Sequence, residues 1–82
     1  LTGSLKGHSN RVNYAIFSPD EQKIVTASRD STARIWNSQN YKQLASLTGH
    51  SDDVVTATFS PDGRQIITAS SDKTAKIWDS ES

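Results

Sequence analysis

Ile24-Val25-Thr26-Ala27-Ser28-Arg29-Asp30-Ser31-Thr32-Ala33-Arg34-Ile35-Trp36 returns as Ile66-Ile67-Thr68-Ala69-Ser70-Ser71-Asp72-Lys73-Thr74-Ala75-Lys76-Ile77-Trp78, an offset of 42 residues. The same offset carries Gly7-His8 onto Gly49-His50 and Phe17-Ser18-Pro19-Asp20 onto Phe59-Ser60-Pro61-Asp62. Sliding residues 1–40 onto 43–82 gives 21 identities in 40 pairs without a gap. The chain is therefore two copies of one unit, with no linker or low-complexity tract between them.

Working outward from that stretch, the apolar residues alternate with a period of two, and turn signals arrive every 8–12 residues, the spacing of short strands rather than of helices. Ser and Thr total 21, and β-branched residues are frequent, which suits a pleated surface. The pattern predicts strands near Thr2–Lys6, Arg11–Phe17, Gln22–Ser28, Thr32–Asn37, Tyr41–Leu47, Asp53–Phe59, Arg64–Ser70 and Thr74–Asp79. Ser18-Pro19-Asp20-Glu21 and Ser60-Pro61-Asp62-Gly63 place proline at the second position of a tight turn. Arg29-Asp30-Ser31 and Ser71-Asp72-Lys73 form the next turn of each copy. The fold class is all-β, built from up-and-down meanders.

Composition narrows the function. Nine Lys and Arg balance nine Asp and Glu in 82 residues, so no basic excess exists to neutralise phosphates and nucleic acid is disfavoured as a partner. With no Cys and no Met, there is no disulfide framework, thiolate nucleophile or cysteine zinc site. The longest apolar run is Tyr14-Ala15-Ile16-Phe17, far short of a membrane helix or a secretory apolar region. The composition reads as that of a soluble, cytoplasmic-type chain, no targeting signal is expected, and no compartment is assigned. Apolar residues make up 33%, low for a domain this short, so either the fold is marginal or something else completes its core.

The ordered set Gly-His, then Phe-Ser-Pro-Asp, then Ile-(Val/Ile)-Thr-Ala-Ser, Asp, Thr-Ala-(Arg/Lys)-Ile-Trp resembles the WD40 repeat, whose blades are four-stranded antiparallel sheets of a β-propeller. The likeness covers the chain twice over. Departures are local: Asn37 stands where Asp79 keeps the usual Asp, Glu21 replaces the glycine that Gly63 retains, and Ser31 and Lys73 occupy a turn position where glycine is usual. A left-handed backbone at Glu21, Ser31 or Lys73 would cost about 1 kcal/mol each.

The resemblance implies a single two-blade segment over 1–82: residues 1–6 an outer strand, 7–48 a first blade, 49–82 a second blade lacking its outer strand. The outer strand Thr2, Gly3, Ser4, Leu5 and Lys6 is expected to complete a blade of a neighbouring chain. The chain is expected to close head-to-tail into a symmetric ring, four copies giving eight blades, with three copies and six blades as second choice. It also implies that His8, Thr26, Asp30 and Trp36 form a buried hydrogen-bond tetrad, repeated by His50, Thr68, Asp72 and Trp78.

A Thr, His and Asp set invites a catalytic reading. Against it, the set occurs twice at one offset, includes a Trp, and places Thr26 and Thr68 inside strands without a nucleophile elbow. The tetrads are expected to be structural and the chain not to be an enzyme. No metal is expected, because His8 and His50 sit in equivalent places on different units; Asp52-Asp53 reads as a solvated acidic loop. The glycines are dispersed, so no phosphate loop exists and no cofactor is expected. Phe17, Phe59, Trp36 and Trp78 read as core, and Tyr14 and Tyr41 as inter-strand packing. Arg11 and Asp53 put opposite charges at one loop position, and with Arg29 and Asp52 they mark a loop face. Two functions follow: a self-assembling structural module and, alternatively, a scaffold binding protein or peptide ligands through that loop face.

Overall fold

The computed structural model describes residues 8–79; the expected outer strand Thr2–Lys6 lies outside them. Seven strands follow in order: β1 Val12–Phe17, β2 Lys23–Ser28, β3 Thr32–Asn37, β4 Gln43–Thr48, β5 Val54–Phe59, β6 Gln65–Ser70 and β7 Ala75–Asp79. They form two antiparallel sheets, β1-β2-β3-β4 and β5-β6-β7, each strand paired with its neighbour in sequence. No described residue is helical.

The tight turns explain why the meander folds where it does. Ser18 Oγ donates to Asp20 Oδ1 at 2.6 Å, the same carboxylate oxygen accepts the N–H of Gln22 at 2.9 Å, and Glu21 N–H donates to Ser18 O at 2.9 Å. Ser60, Asp62, Arg64 and Gly63 repeat these contacts. Each turn satisfies part of its own backbone locally, without help from the strand ladder. A bulge displaces Asn13 in β1 against β2, and an equivalent irregularity falls at Val55 in β5 against β6, so even the defect is repeated.

The structure differs from expectation at the start of the fourth strand and at two aromatic residues, while most other strands begin one residue later than expected. The fourth strand begins at Gln43 rather than Tyr41, because Asn37 organises the preceding turn: its Oδ1 accepts the N–H groups of Gln39 and Asn40, its O accepts Tyr41 N–H, and Tyr41 takes a left-handed φ of 61°. Phe17, expected in the core, is exposed, whereas its equivalent Phe59 is buried. Trp78 is only half-buried and packs at the margin of the core.

The core lies between the sheets. Val25, Ala27, Ala33, Ile35 and Leu47 on one face of the first sheet meet Val54, Ala57, Phe59 and Ile66 on the opposite face of the second. The outward faces carry Val12, Phe17, Ile67 and Ile77 into solvent.

Candidate functional site

At one end of each sheet the chain passes from a turn into its first strand, and a histidine there reaches across to the second and third strands. His8 Nδ1 lies 2.9 Å from Asp30 Oδ2, His8 Nε2 lies 2.6 Å from Thr26 Oγ1, and Trp36 Nε1 donates to Thr26 Oγ1 at 2.8 Å. In the second sheet His50, Asp72, Thr68 and Trp78 repeat the distances at 3.0, 2.7 and 2.8 Å. Each sheet thus brings together all four residues that the family resemblance groups.

Proton inventory orders each chain of bonds. An ionised carboxylate only accepts and an indole N–H only donates. In the neutral ring, Nδ1–H donates to the Asp, the Thr hydroxyl donates to Nε2, and the Thr oxygen accepts from the Trp; this assignment follows from the network. Among the described residues, every buried side-chain nitrogen and oxygen has a hydrogen-bond partner, so the sites hold no orphaned group that a ligand would have to satisfy.

Both aspartates are more heavily bonded than a tetrad requires. Burial pushes the Asp30 carboxyl up, but bonds from Thr32, His8 and the N–H groups of Ser9 and Thr32 outweigh it and hold the group far below its ordinary value of 3.8. The Asp72 carboxyl is held equally far down by Thr74 and the Ser51 N–H, with His50 and the Thr74 N–H adding to them against burial. Four donors on one carboxylate make a fixed anion, not a proton carrier working near neutral pH.

Sequence reasoning left out the supporting residues. Ser28 Oγ donates to Arg11 O at 2.9 Å and accepts the Asp30 N–H at 3.1 Å, tying the turn to the start of β1. Ser70 does the same with Asp53 O and the Asp72 N–H. Thr32 and Thr74 hydroxyls donate to the aspartates. All four are identical between the copies, the signal that could have found them. Gly49 has a steric reason: a Cβ there would stand 3.2 Å from Trp78 Cη2.

The four loop residues fall at this same end. Arg29 Nε lies 3.6 Å from Asp53 Oδ2, bridging the sheets, and Asp52 Oδ1 accepts the Asp53 N–H at 2.8 Å. Arg11 is exposed, and its carbonyl accepts from Arg29 N–H and Ser28 Oγ. Asn13, which carried no sequence signal, donates from Nδ2 to Val54 O at 3.0 Å across the sheets.

The family profile described as "WD domain, G-beta repeat" matches residues 1–37 and 41–79. The chain is similar to the B-type cell cycle switch protein ccs52B of Medicago truncatula, 56% identical over 34 residues, 42% of this chain and 7% of that protein. It is also similar to the WD repeat-containing protein srw1 of Schizosaccharomyces pombe, 50% identical over 34 residues, 42% of this chain and 6% of that protein. A third likeness is to pre-mRNA-processing factor 19 of Bos taurus, 38% identical over 40 residues, 49% of this chain and 8% of that protein. The chain thus matches less than a tenth of the length of each of these relatives.

Proposed function

The chain belongs to the WD40 repeat family, and from that premise we propose that it is an interaction module: its sheet faces take further sheets of the same kind, and its loop end takes a protein ligand. The observation that carries this reading is the identity of the outward faces. Val12 and Phe17 are the 42-residue equivalents of Val54 and Phe59, and Ile67 and Ile77 are those of Val25 and Ile35. The molecule exposes one copy of each half of the interface it buries. Such a surface is heterologous, and repeated use of it closes a ring or runs on as a filament.

Copies stack head-to-tail into a closed ring in this reading, four giving eight blades and three giving six. The tetrads act within it as braces, holding each first strand to its own sheet by buried polar bonds. The relatives named as a cell cycle switch protein and a pre-mRNA-processing factor carry the matching stretch as 7% and 8% of their own lengths, which suits a module that works beside further protein. Arg11, Arg29, Asp52 and Asp53 at the loop end are where a protein ligand would be read.

Native mass spectrometry tests the assembly. From a chain of 9.0 kDa, four copies give a species of about 36 kDa and three give about 27 kDa. A 9.0 kDa species at every concentration overturns the self-assembly reading. Binding of a captured protein that survives charge reversal at Arg29 and Asp53 overturns the assignment of the loop end.

A further inference from the structure

The junction inside the chain is held by more than apolar contact. Asn13 Nδ2 donates to the carbonyl of Val54, and Arg29 faces Asp53. Each of these four positions has an equivalent in the other copy of the unit: Val55 for Asn13, Val12 for Val54, Ser71 for Arg29 and Arg11 for Asp53. When a second copy covers the outward face of the second sheet in the register the chain itself uses, Val55 meets the carbonyl of Val12 of the next copy. At the same junction Ser71 meets its Arg11. Neither the amide hydrogen bond nor the ion pair is remade, since the valine side chain has no donor and serine has no charge. What the junction gains is coverage of Val55, Ile67 and Ile77 on one side and Val12 and Phe17 on the other, all five exposed in the single chain.

We infer that the chain has two junctions of different kind: an internal one locked by Asn13, Arg29 and Asp53, and an apolar one, formed by Val55, Ile67 and Ile77, whose occupant is the Val12/Phe17 face of a second copy of this chain. This inference rests on the assembly reading and adds the register and the residues that set it. Arg11 gives the arrangement a direction. Were the first sheet of another copy to replace the chain's own second sheet, Arg29 would face Arg11 in place of Asp53, a like-charge contact where an opposite-charge one stands now. The ring therefore comes apart at the apolar junctions, releasing intact two-sheet chains.

Cross-linking tests the register, and the absence of cysteine from the chain makes introduced thiols unambiguous. A Val12→Cys chain is mixed with a Val55→Cys chain and treated with a short bis-maleimide, which tolerates separations that a disulfide does not. The expected result is a covalent two-chain product from the mixture and little from either variant alone. Ser71→Asp places at this junction the opposite charge that Asp53 supplies inside the chain, facing Arg11 of the next copy, and is expected to lower the apparent dissociation constant about 2- to 5-fold, the effect of one exposed ion pair. Equal cross-linking of a single variant, no product from the mixture, or an unchanged or weaker Ser71→Asp assembly overturns the inference while leaving a ring seen by mass intact. A wild-type chain that stays at 9.0 kDa overturns both readings.

Discussion

Ile35 and Ile77 occupy the same place in the same sequence, yet Ile35 is 1% exposed and Ile77 is 67% exposed. Phe59 at 9% and Phe17 at 55% make the same contrast in the opposite direction. Local pattern is identical in each pair, and the strands, turns and registers around them agree. What differs is the sheet next door. The first sheet covers its Ile35 face with the second, while the equivalent face of the second sheet has no described sheet against it. Burial here belongs to the neighbour and not to the residue, as in any stack of repeats whose stability is a sum of unit and interface contributions.

Truncating both members of a pair separates the residue from its neighbour most strongly. Ile35→Ala removes a fully buried side chain between two sheets and is expected to cost about 2–5 kcal/mol. Ile77→Ala, measured by urea unfolding at concentrations where copies are apart, is expected to cost about 0.5 kcal/mol or less, as exposed substitutions do. Where copies associate, Ile77→Ala instead weakens the association. Equal effects on unfolding of the dilute chain would show that the outward face is already covered.

The tetrads reverse the lesson, because their geometry agrees to within 0.1 Å despite the difference in surroundings. Their partners come from one sheet, so the neighbour has little say. Asp30→Ala leaves the imidazole N–H of His8 without its acceptor and is expected to lower stability by about 1–3 kcal/mol in thermal melts. Asp72→Ala is expected to act in the same direction. A variant that melts as the wild type but loses a binding activity would move the aspartate from brace to ligand site.

Asp30 and Asp72 have folded-state values below the ordinary 3.8, so the folded chain binds fewer protons than the unfolded one as the pH falls. Their contribution is fully present above about pH 4 and is lost progressively as the pH drops below the unfolded value and on through the folded ones. Denaturant midpoints measured from pH 6 down to pH 2 should fall only in the acid part of that range. Asp20 and Asp62, lowered chiefly by Ser18 and Ser60, act with the same sign. The double variant Asp30→Ala with Asp72→Ala should flatten the decline.

Much of this was legible in the sequence for a physical reason: strand period, proline-aspartate turns and the tetrad residues are all local or repeated, and repetition doubles every signal. The outcome was less legible wherever one unit meets another. Asn13 gave no signal because its counterpart is Val55, and the inter-sheet bond it makes depends on where Val54 lands. Phe17 and Phe59 read alike as core, because a one-dimensional pattern does not say on which side the neighbour stands. Tyr41 read as the start of a strand because aromatic residues favour strands. The Asn37 side chain had already committed that segment to a turn.

The smallest expected effect comes from the turns, where the two units differ by one residue in the same backbone. Glu21 and Gly63 both donate their N–H to a serine carbonyl, Ser18 at 2.9 Å and Ser60 at 2.8 Å, and both are left-handed, with φ of 63° and 75°. Space does not explain the glycine: a Cβ on Gly63 would lie 3.5 Å from Pro19 Cδ, an ordinary contact. The conformation does, since a side chain in this region costs about 1 kcal/mol. Glycine also loses more chain entropy on folding, which offsets part of that gain. Glu21→Gly should therefore stabilise the chain by less than about 1 kcal/mol, and Gly63→Ala should destabilise it by a similar amount. Chemical denaturation of both variants decides the matter. If Gly63→Ala is neutral while Glu21→Gly destabilises, the strain at Glu21 is offset by contacts of its side chain, and the two turns are not equivalent after all.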